Sequence, residues 1–114
     1  MEAGEPKLTA PAEPPSDQVG TRLLFENERV RVWDFALAPG ESLERHVHRT
    51  DYVYIVVSGG LLRVSDPGDT SRYRDVQFED DQVTFVPVQG EKVDNRHTNV
   101  GGKPHRNFVI ELKK

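Results

Sequence analysis

The stretch of sequence that decides the fold reads His46-Val47-His48-Arg49-Thr50-Asp51-Tyr52-Val53-Tyr54-Ile55-Val56-Val57. In an extended strand, successive side chains point to opposite faces, so residues two apart share a face. His46 and His48 therefore project together, and Thr50, Tyr52, Tyr54 and Val56 continue their row. Two imidazoles that converge inside an apolar barrel or sandwich are suitable ligands for a transition metal. The stretch predicts a buried strand that carries a candidate metal site.

Short apolar segments separated by turn residues extend on both sides of this stretch. Turns are indicated by Pro39-Gly40, Gly59-Gly60, Pro67-Gly68 and Gly101-Gly102. No segment has the 3.6-residue apolar repeat of an amphipathic helix. Strands are predicted over residues 30–37, 43–57, 61–64, 75–78, 82–86, 93–100 and 107–112. This pattern is typical of an all-β antiparallel sandwich or barrel with short turns and little or no helix.

Length and composition restrict the classes of protein to consider. The 114 residues allow one small domain, predicted over 21–114. Residues 1–20 hold four of the eight prolines and few large apolar residues, so a disordered arm is predicted there. There is no cysteine, no signal-peptide pattern and no apolar run of about 20 residues, which predicts a cytoplasmic protein without a membrane span. The net charge of −4 and the scattered basic residues argue against a nucleic-acid partner.

The second face of the apolar strand predicts a partner. Val53, Ile55 and Val57 lie opposite the row of Tyr52, Tyr54 and Val56, so both faces of the strand are apolar. Such a strand needs a cover on its second side, either the other sheet or another subunit. In so small a domain a homodimer is the favoured cover.

At these residues the chain resembles the cupin superfamily. Gly40, His46-Val47-His48, Tyr52 and Gly59 have the spacing of the first cupin motif, with Tyr52 where the family places a metal-binding glutamate. In the second motif Pro87 matches the proline, Asn99 matches the closing asparagine and Asn95 stands at the histidine position. The leading glycine is replaced by Asp81, and Gly90 comes one residue late. The resemblance covers residues 25–113 and implies a small single-domain cupin with a double-stranded β-helix, or jelly-roll, barrel.

The resemblance leaves the third metal ligand open. Asn95, His97 and Asn99 share parity, so an inward Asn99 places His97 inward as well. A bulge in the preceding segment would instead bring Asp94 round. Asn95 alone would be a poor ligand, because a neutral amide oxygen binds a borderline metal less well than imidazole or carboxylate. The candidate metal ligands are therefore His46, His48, His97, Asp94 and Asn95.

Other polar and aromatic residues are assigned by position. Tyr52 is either a catalytic acid or base, which as phenolate needs a pKa well below about 10, or an aromatic wall with a hydrogen-bonded hydroxyl. Tyr54, Phe85 and Asn99 are predicted to line the pocket. His105 follows Pro104 in a turn and is predicted at the surface.

Several functions are consistent with these residues. The resemblance implies a divalent metal (Fe, Mn, Zn or Ni), no organic cofactor, and a small organic substrate. The reaction stays open among dioxygenase, isomerase, decarboxylase and cyclase types. The departures at Tyr52 and Asn95 favour an alternative, a metal-free cupin that binds a small molecule. A third possibility is a metal-free acid–base enzyme that uses Tyr52 with His46 or His48.

Overall fold

Eleven β-strands and no helix make up residues 15–113, the part of the chain that the computed structural model describes. The strands are β1 (Arg22–Glu26), β2 (Val30–Leu37), β3 (Ser42–Leu43), β4 (His46–His48), β5 (Tyr52–Ser58), β6 (Gly60–Asp66), β7 (Asp69–Phe78), β8 (Val83–Val86), β9 (Lys92–Asp94), β10 (Arg96–Asn99) and β11 (His105–Leu112). The prediction of an all-β fold with short turns is confirmed. Among the described residues no helix is long and apolar enough to cross a membrane.

Three antiparallel sheets form the barrel. The five-stranded sheet has the order β1-β2-β11-β5-β8, the four-stranded sheet β3-β10-β6-β7, and the small sheet β4-β9. Trp33, Phe35 and Val109 from the first sheet meet Leu62 from the second in one buried core. This core fills one part of the barrel and leaves its interior open beside β4 and β9.

The predicted strand over 43–57 is three strands rather than one. Asp51 makes the corner between β4 and β5, because its carboxylate accepts the Val88 N–H at 2.8 Å and its carbonyl accepts the Leu112 N–H at 2.9 Å. β4 pairs with β9, whereas β5 pairs with β11 and β8. The single row predicted from His46 to Val56 is therefore broken at Thr50, which belongs to no strand.

Steric constraints explain why two positions of the first motif are glycine. Gly40 has a φ of +88°, a left-handed conformation that side chains with a Cβ rarely adopt. A Cβ on Gly59 would lie 2.1 Å from the carbonyl oxygen of Phe78, so only glycine allows β7 to end against this turn. The two glycines of the motif therefore lie at turns where the backbone conformation or the neighbouring strand leaves no room for a side chain.

The N-terminal segment joins the barrel before Thr21. The Val47 N–H donates to the Ser16 carbonyl at 2.8 Å, and Val19 is 1% exposed in the core. Of the arm predicted over residues 1–20, residues 1–14 lie outside the described part of the chain. Residues 15–20 pack on the barrel, because Val19 supplies an apolar side chain that the core covers.

Candidate metal centre

Strands β4 and β9 bring three potential metal ligands together. His46 and His48 are each 2% exposed, with ring centroids 5.1 Å apart. The register pairs His46 with Asp94, and directly paired residues project to the same face. Asp94 Oδ2 lies 3.4 Å from His46 Nε2 and 3.1 Å from His48 Nε2. Within the described chain these residues form a group whose ligand atoms all lie within 4.8 Å of one another.

The two imidazoles direct their Nε2 atoms at the same carboxylate oxygen. His46 Nδ1 donates to the Glu44 carbonyl at 2.9 Å, which orients the ring so that Nε2 is directed toward the Asp94 carboxylate. His48 Nδ1 is buried without a hydrogen-bond partner among the described residues. Ligands about 2.0–2.2 Å from a common ion are themselves about 2.9–3.4 Å apart. The spacing and chemistry of the three side chains therefore fit a divalent transition metal.

His46, His48 and Lys92 together hold the Asp94 carboxylate in its ionised form. The Lys92 ammonium donates to Asp94 Oδ1 and lies 3.4 Å from the Tyr52 hydroxyl. Burial opposes ionisation of Asp94, but hydrogen bonds from His46, His48 and Lys92 outweigh it and hold the pKa of Asp94 well below its usual range. Asp94 is therefore a carboxylate at physiological pH, with Oδ2 directed at the histidines.

His97 lies beside this group without joining it. Its ring centroid is 6.1 Å from that of His46, and its edge meets Phe35 at 6.2 Å. Burial lowers the pKa of His97, so its ring is neutral at pH 7. Nδ1 donates to the Asn95 carbonyl at 2.7 Å, which leaves Nε2 as the acceptor. His97 is thus an inward-facing base beside the three ligands.

The tyrosines form a wall of the same interior. The Tyr52 ring stacks on His48 at a centroid distance of 3.9 Å. Burial raises the pKa of Tyr52 and the charge of Asp94 raises it further, so the side chain is a neutral phenol. This environment opposes the phenolate role and leaves an O–H donor next to the ligand group. Tyr54 lines the interior as well, with its hydroxyl accepting from Gln82 Nε2 at 3.2 Å.

An inner cavity and a wider mouth adjoin the ligand group. The inner cavity has a volume of about 70 Å³ and the mouth about 370 Å³. Both are lined by Tyr52, Tyr54, Phe78, Asp94 and His97, so they adjoin one another. The inner walls are mainly apolar and aromatic, which suits a small organic ligand.

Two residues predicted in the pocket lie elsewhere. Phe85 is 55% exposed on the outer side of β8, because its neighbours Thr84 and Val86 take the opposite parity. Phe78 supplies the aromatic wall instead. Asn99 is 1% exposed and binds backbone: Nδ2 donates to the Leu37 and Lys103 carbonyls, and Oδ1 accepts the Gly101 N–H. Asn99 therefore fixes a turn and does not line the cavity.

Asn95 lies in the connection between β9 and β10. Its side chain lines the mouth, and its carbonyl orients His97. Asp94 and His97 both line the interior although they are three residues apart, so the strand alternation changes at this connection; an inward Asp94 is one of the alternatives predicted from the sequence.

The prediction of a surface position for His105 is wrong. His105 is fully buried, with Phe35 at 5.8 Å and Phe78 at 5.4 Å between ring centroids. Asn107 Nδ2 donates to its Nε2 at 2.8 Å. The alternating burial of β11 includes position 105, so extending the predicted strand by two residues would have placed His105 inside.

The sequence analysis does not identify two residues of the site. Lys92 lines the mouth and Asn107 lines the inner cavity. The alternation in β11 could have identified Asn107.

Comparison with solved structures establishes the fold. A cupin domain from Bordetella pertussis is 22% identical with a TM-score of 0.67, and the match covers 90% of this chain and all of that one. An RmlC-like cupin family protein with a double-stranded β-helix fold from Methanocaldococcus jannaschii is 17% identical with a TM-score of 0.54, covering 99% and 91% of the two chains. The polyketide cyclase RemF from Streptomyces resistomycificus is 22% identical with a TM-score of 0.51, covering 77% of this chain and 57% of the cyclase. No protein-family model and no curated protein matches the sequence.

These similarities define the class of fold. The chain has the double-stranded β-helix fold of cupins, as the spacing of Gly40, His46, His48 and Gly59 predicted.

Proposed function

We propose that the protein binds one divalent transition metal through His46, His48 and Asp94 and acts on a small organic molecule in the barrel. The observation that carries this proposal is the convergence of two buried imidazole nitrogens and one carboxylate oxygen at 3.1 and 3.4 Å. A metal bound there would supply Lewis-acid or oxygen-activating chemistry. The similarity to a polyketide cyclase supports a catalytic use of such a barrel. The reaction stays open among cyclase, isomerase, decarboxylase and dioxygenase types.

The neighbouring residues have separable roles in this proposal. Lys92 helps to keep Asp94 ionised and orients it through Oδ1, which leaves Oδ2 for the metal. His97 offers a neutral Nε2 that accepts a proton from a bound molecule, and Tyr52 offers an O–H that donates one. Phe35, Tyr54 and Phe78 give the inner cavity aromatic walls.

Metal analysis of protein purified without a histidine tag tests the proposal. We expect about one equivalent of metal per chain, reduced to background by His46→Gln and by Asp94→Asn, because three protein ligands are the usual minimum. Asp75→Asn is the matched control, since that carboxylate pairs with Arg63 on the outer surface. Metal content that is far below one equivalent, or that survives both ligand substitutions, would overturn the metal site.

A metal-free binding protein is the second candidate, and the Lys92–Asp94 ion pair favours it. That pair gives the carboxylate a counter-ion without any metal. Thermal unfolding of the chelated protein with added Fe, Mn, Zn or Ni distinguishes the two candidates. A stabilisation by metal that His48→Gln abolishes supports the metal site, whereas unfolding that is unchanged by all four metals supports the metal-free protein.

A further inference from the structure

The mouth of the barrel is cationic. Besides the aromatic residues that it shares with the inner cavity, it is lined by Arg74 of β7 and Lys92 of β9, with the amide side chains of Gln82 and Asn95. Asp94 is the one carboxylate among the described residues that line this mouth, and Lys92 pairs with it. The mouth therefore keeps the positive charge of Arg74 without a balancing carboxylate.

The Arg74 guanidinium differs from those of most arginines of the chain in having no partner among residues 15–113. Ion pairs join arginines to acidic residues at Arg22–Asp34, Arg31–Glu26, Arg49–Glu91, Arg63–Asp75, Arg96–Glu44 and Arg106–Asp34. The Arg74 backbone pairs with Val64 of β6, but its guanidinium forms no hydrogen bond or ion pair with any residue in the described range. It has the same strand parity as Val76 and Phe78, which also line the mouth, whereas Asp75 faces outward to Arg63. Strand alternation thus directs an unpaired guanidinium toward the opening.

We infer that Arg74 binds the carboxylate or phosphate group of a small organic anion at this mouth. A guanidinium donates two parallel N–H bonds to such a group, and Asp94, the one carboxylate among the described residues that line the mouth, is already paired with Lys92. The uncharged part of the same molecule lies against Tyr54 and Phe78, which line both the mouth and the adjoining inner cavity. The identification of this anion as the substrate rests on the proposed function, whereas the binding subsite itself does not.

Matched charged and neutral probes test the subsite. Benzoate and benzamide have nearly the same shape but differ in charge, and inorganic phosphate tests the other anion class. We expect benzoate or phosphate to bind at least tenfold more tightly than benzamide at constant ionic strength, measured by calorimetry. Arg74→Gln should remove that preference, while Arg29→Gln, at an exposed arginine between β1 and β2 that does not line this mouth, should keep it.

The outcomes separate the subsite from the proposed function. Equal binding of all three probes, or equal effects of the two arginine substitutions, overturns the anion subsite. The metal content of the same samples is measured in parallel, and far-ultraviolet circular dichroism verifies folding. If the wild-type protein contains no metal but binds benzoate through Arg74, the anion subsite is supported and the metal function is rejected. If the protein contains metal but binds none of the probes, the metal function is supported and the anion subsite is rejected.

A second, independent observation concerns the outer side of the five-stranded sheet. Directly paired apolar residues cross all five strands in one row: Phe25, Val32, Ile110, Val53 and Phe85. Phe108, Ile55 and Val83 form the neighbouring row. We call these eight residues the outer apolar face. Phe25, Phe85 and Val83 are 53%, 55% and 63% exposed, so the described chain leaves this face uncovered.

The extent and charge of the outer apolar face fit a second copy of the chain. An aromatic side chain has a total area of about 150–250 Å², so the exposed area of the outer apolar face is roughly 500 Å². Apolar patches of this size are at the upper end of those found on the surface of monomeric proteins. A stable dimer buries about 800 Å² per partner with an apolar centre. The one acid in these rows, Asp34, is neutralised by Arg106, so two such faces do not repel each other. Residues 1–14 contain only Met1 and Leu8 as large apolar side chains, too little to cover the face.

We propose that two copies of the chain pack through their outer apolar faces. β11 is the central strand of the sheet, so a two-fold axis through it places each face on its equivalent. Sedimentation equilibrium should give twice the chain mass of 12.9 kDa, and Phe85→Glu should give the monomer. Tyr73→Glu is the matched control, because Tyr73 is a 51% exposed aromatic on the four-stranded sheet.

The dimer proposal has clear contrary outcomes. The interface would be rejected if the wild-type protein stays monomeric over a roughly 100-fold range of concentration. It would also be rejected if Tyr73→Glu disrupts the dimer and Phe85→Glu does not. If Phe85→Glu fails to fold by circular dichroism, Val83→Lys replaces it on the same face.

Discussion

Replacement of Asn99 by alanine should destabilise the fold and leave the metal site intact. The Asn99 side chain satisfies three backbone groups: the Leu37 carbonyl at 2.8 Å, the Lys103 carbonyl at 2.9 Å and the Gly101 N–H at 2.9 Å. Alanine leaves all three without this partner, and a buried unpaired polar group costs about 1–3 kcal/mol. Since Lys103 and Gly101 are partly reached by water, the expected loss is about 3–5 kcal/mol. A domain of this size is stable by about 5–15 kcal/mol, so the effect is large.

Urea unfolding measures this loss through the fluorescence of Trp33, the single tryptophan, which is 8% exposed in the folded chain. With a slope of about 1–3 kcal/mol per molar urea, the unfolding midpoint should fall by about 2 M. Asn99→Asp keeps the size but removes both donated bonds, so it should destabilise at least as much. A loss below about 1 kcal/mol, or an unchanged midpoint with loss of bound metal, would refute the structural role and return Asn99 to the pocket.

Three further predictions concern the core and its protonation. Gly59→Ala places a Cβ 2.1 Å from the Phe78 carbonyl oxygen and should lower the free energy of unfolding by more than about 3 kcal/mol, whereas Gly102→Ala, with open space around it, should change it by less than about 0.5 kcal/mol; urea titration compares them. Leu62→Ala, at a residue 1% exposed, should cost about 2–5 kcal/mol in the same assay, and a cost below about 1 kcal/mol would contradict its place in the core. Burial lowers the pKa of His105, so the unfolded chain binds more protons below about pH 6.5 and the unfolding free energy should fall as the pH falls from there toward the folded-state pKa. His105→Gln should reduce that pH dependence relative to the wild type, and an identical slope for both proteins would argue against a buried neutral His105.

The residues that could be placed from sequence are those governed by local geometry. The alternation from Tyr52 to Val57 predicts a strand with two apolar faces, and the glycines at 40 and 59 mark the turns around it. The inward pair His46 and His48 follows from the same two-residue period, since both lie on one short strand. These inferences needed no knowledge of distant residues.

The sequence misplaces residues whose inward or outward orientation depends on where a strand begins or on how it pairs with its neighbour. The sequence pattern predicts an inward Phe85, but its parity relative to β5 follows from the register that pairs it with Val53. Pro104 predicts a turn at His105, although β11 begins at that residue. For Phe85 a register change of one residue exchanges the core face for the solvent face, whereas for His105 the strand begins two residues before its predicted start and keeps the same inward parity.

The sequence by itself determined the cupin fold and the two inward histidines of β4, because motif spacing and strand alternation are properties of short segments. Only the tertiary structure decided that Asp94, among the alternatives for a third ligand, lies against them. The physical reason is the pairing of β9 with β4, which opposes Asp94 to His46 across 48 residues of sequence. The break between β9 and β10 then moves Asn95 to the mouth and Asn99 to a backbone turn. Hydrogen bonds between distant strands, which no local pattern specifies, thus select the residues that complete the site.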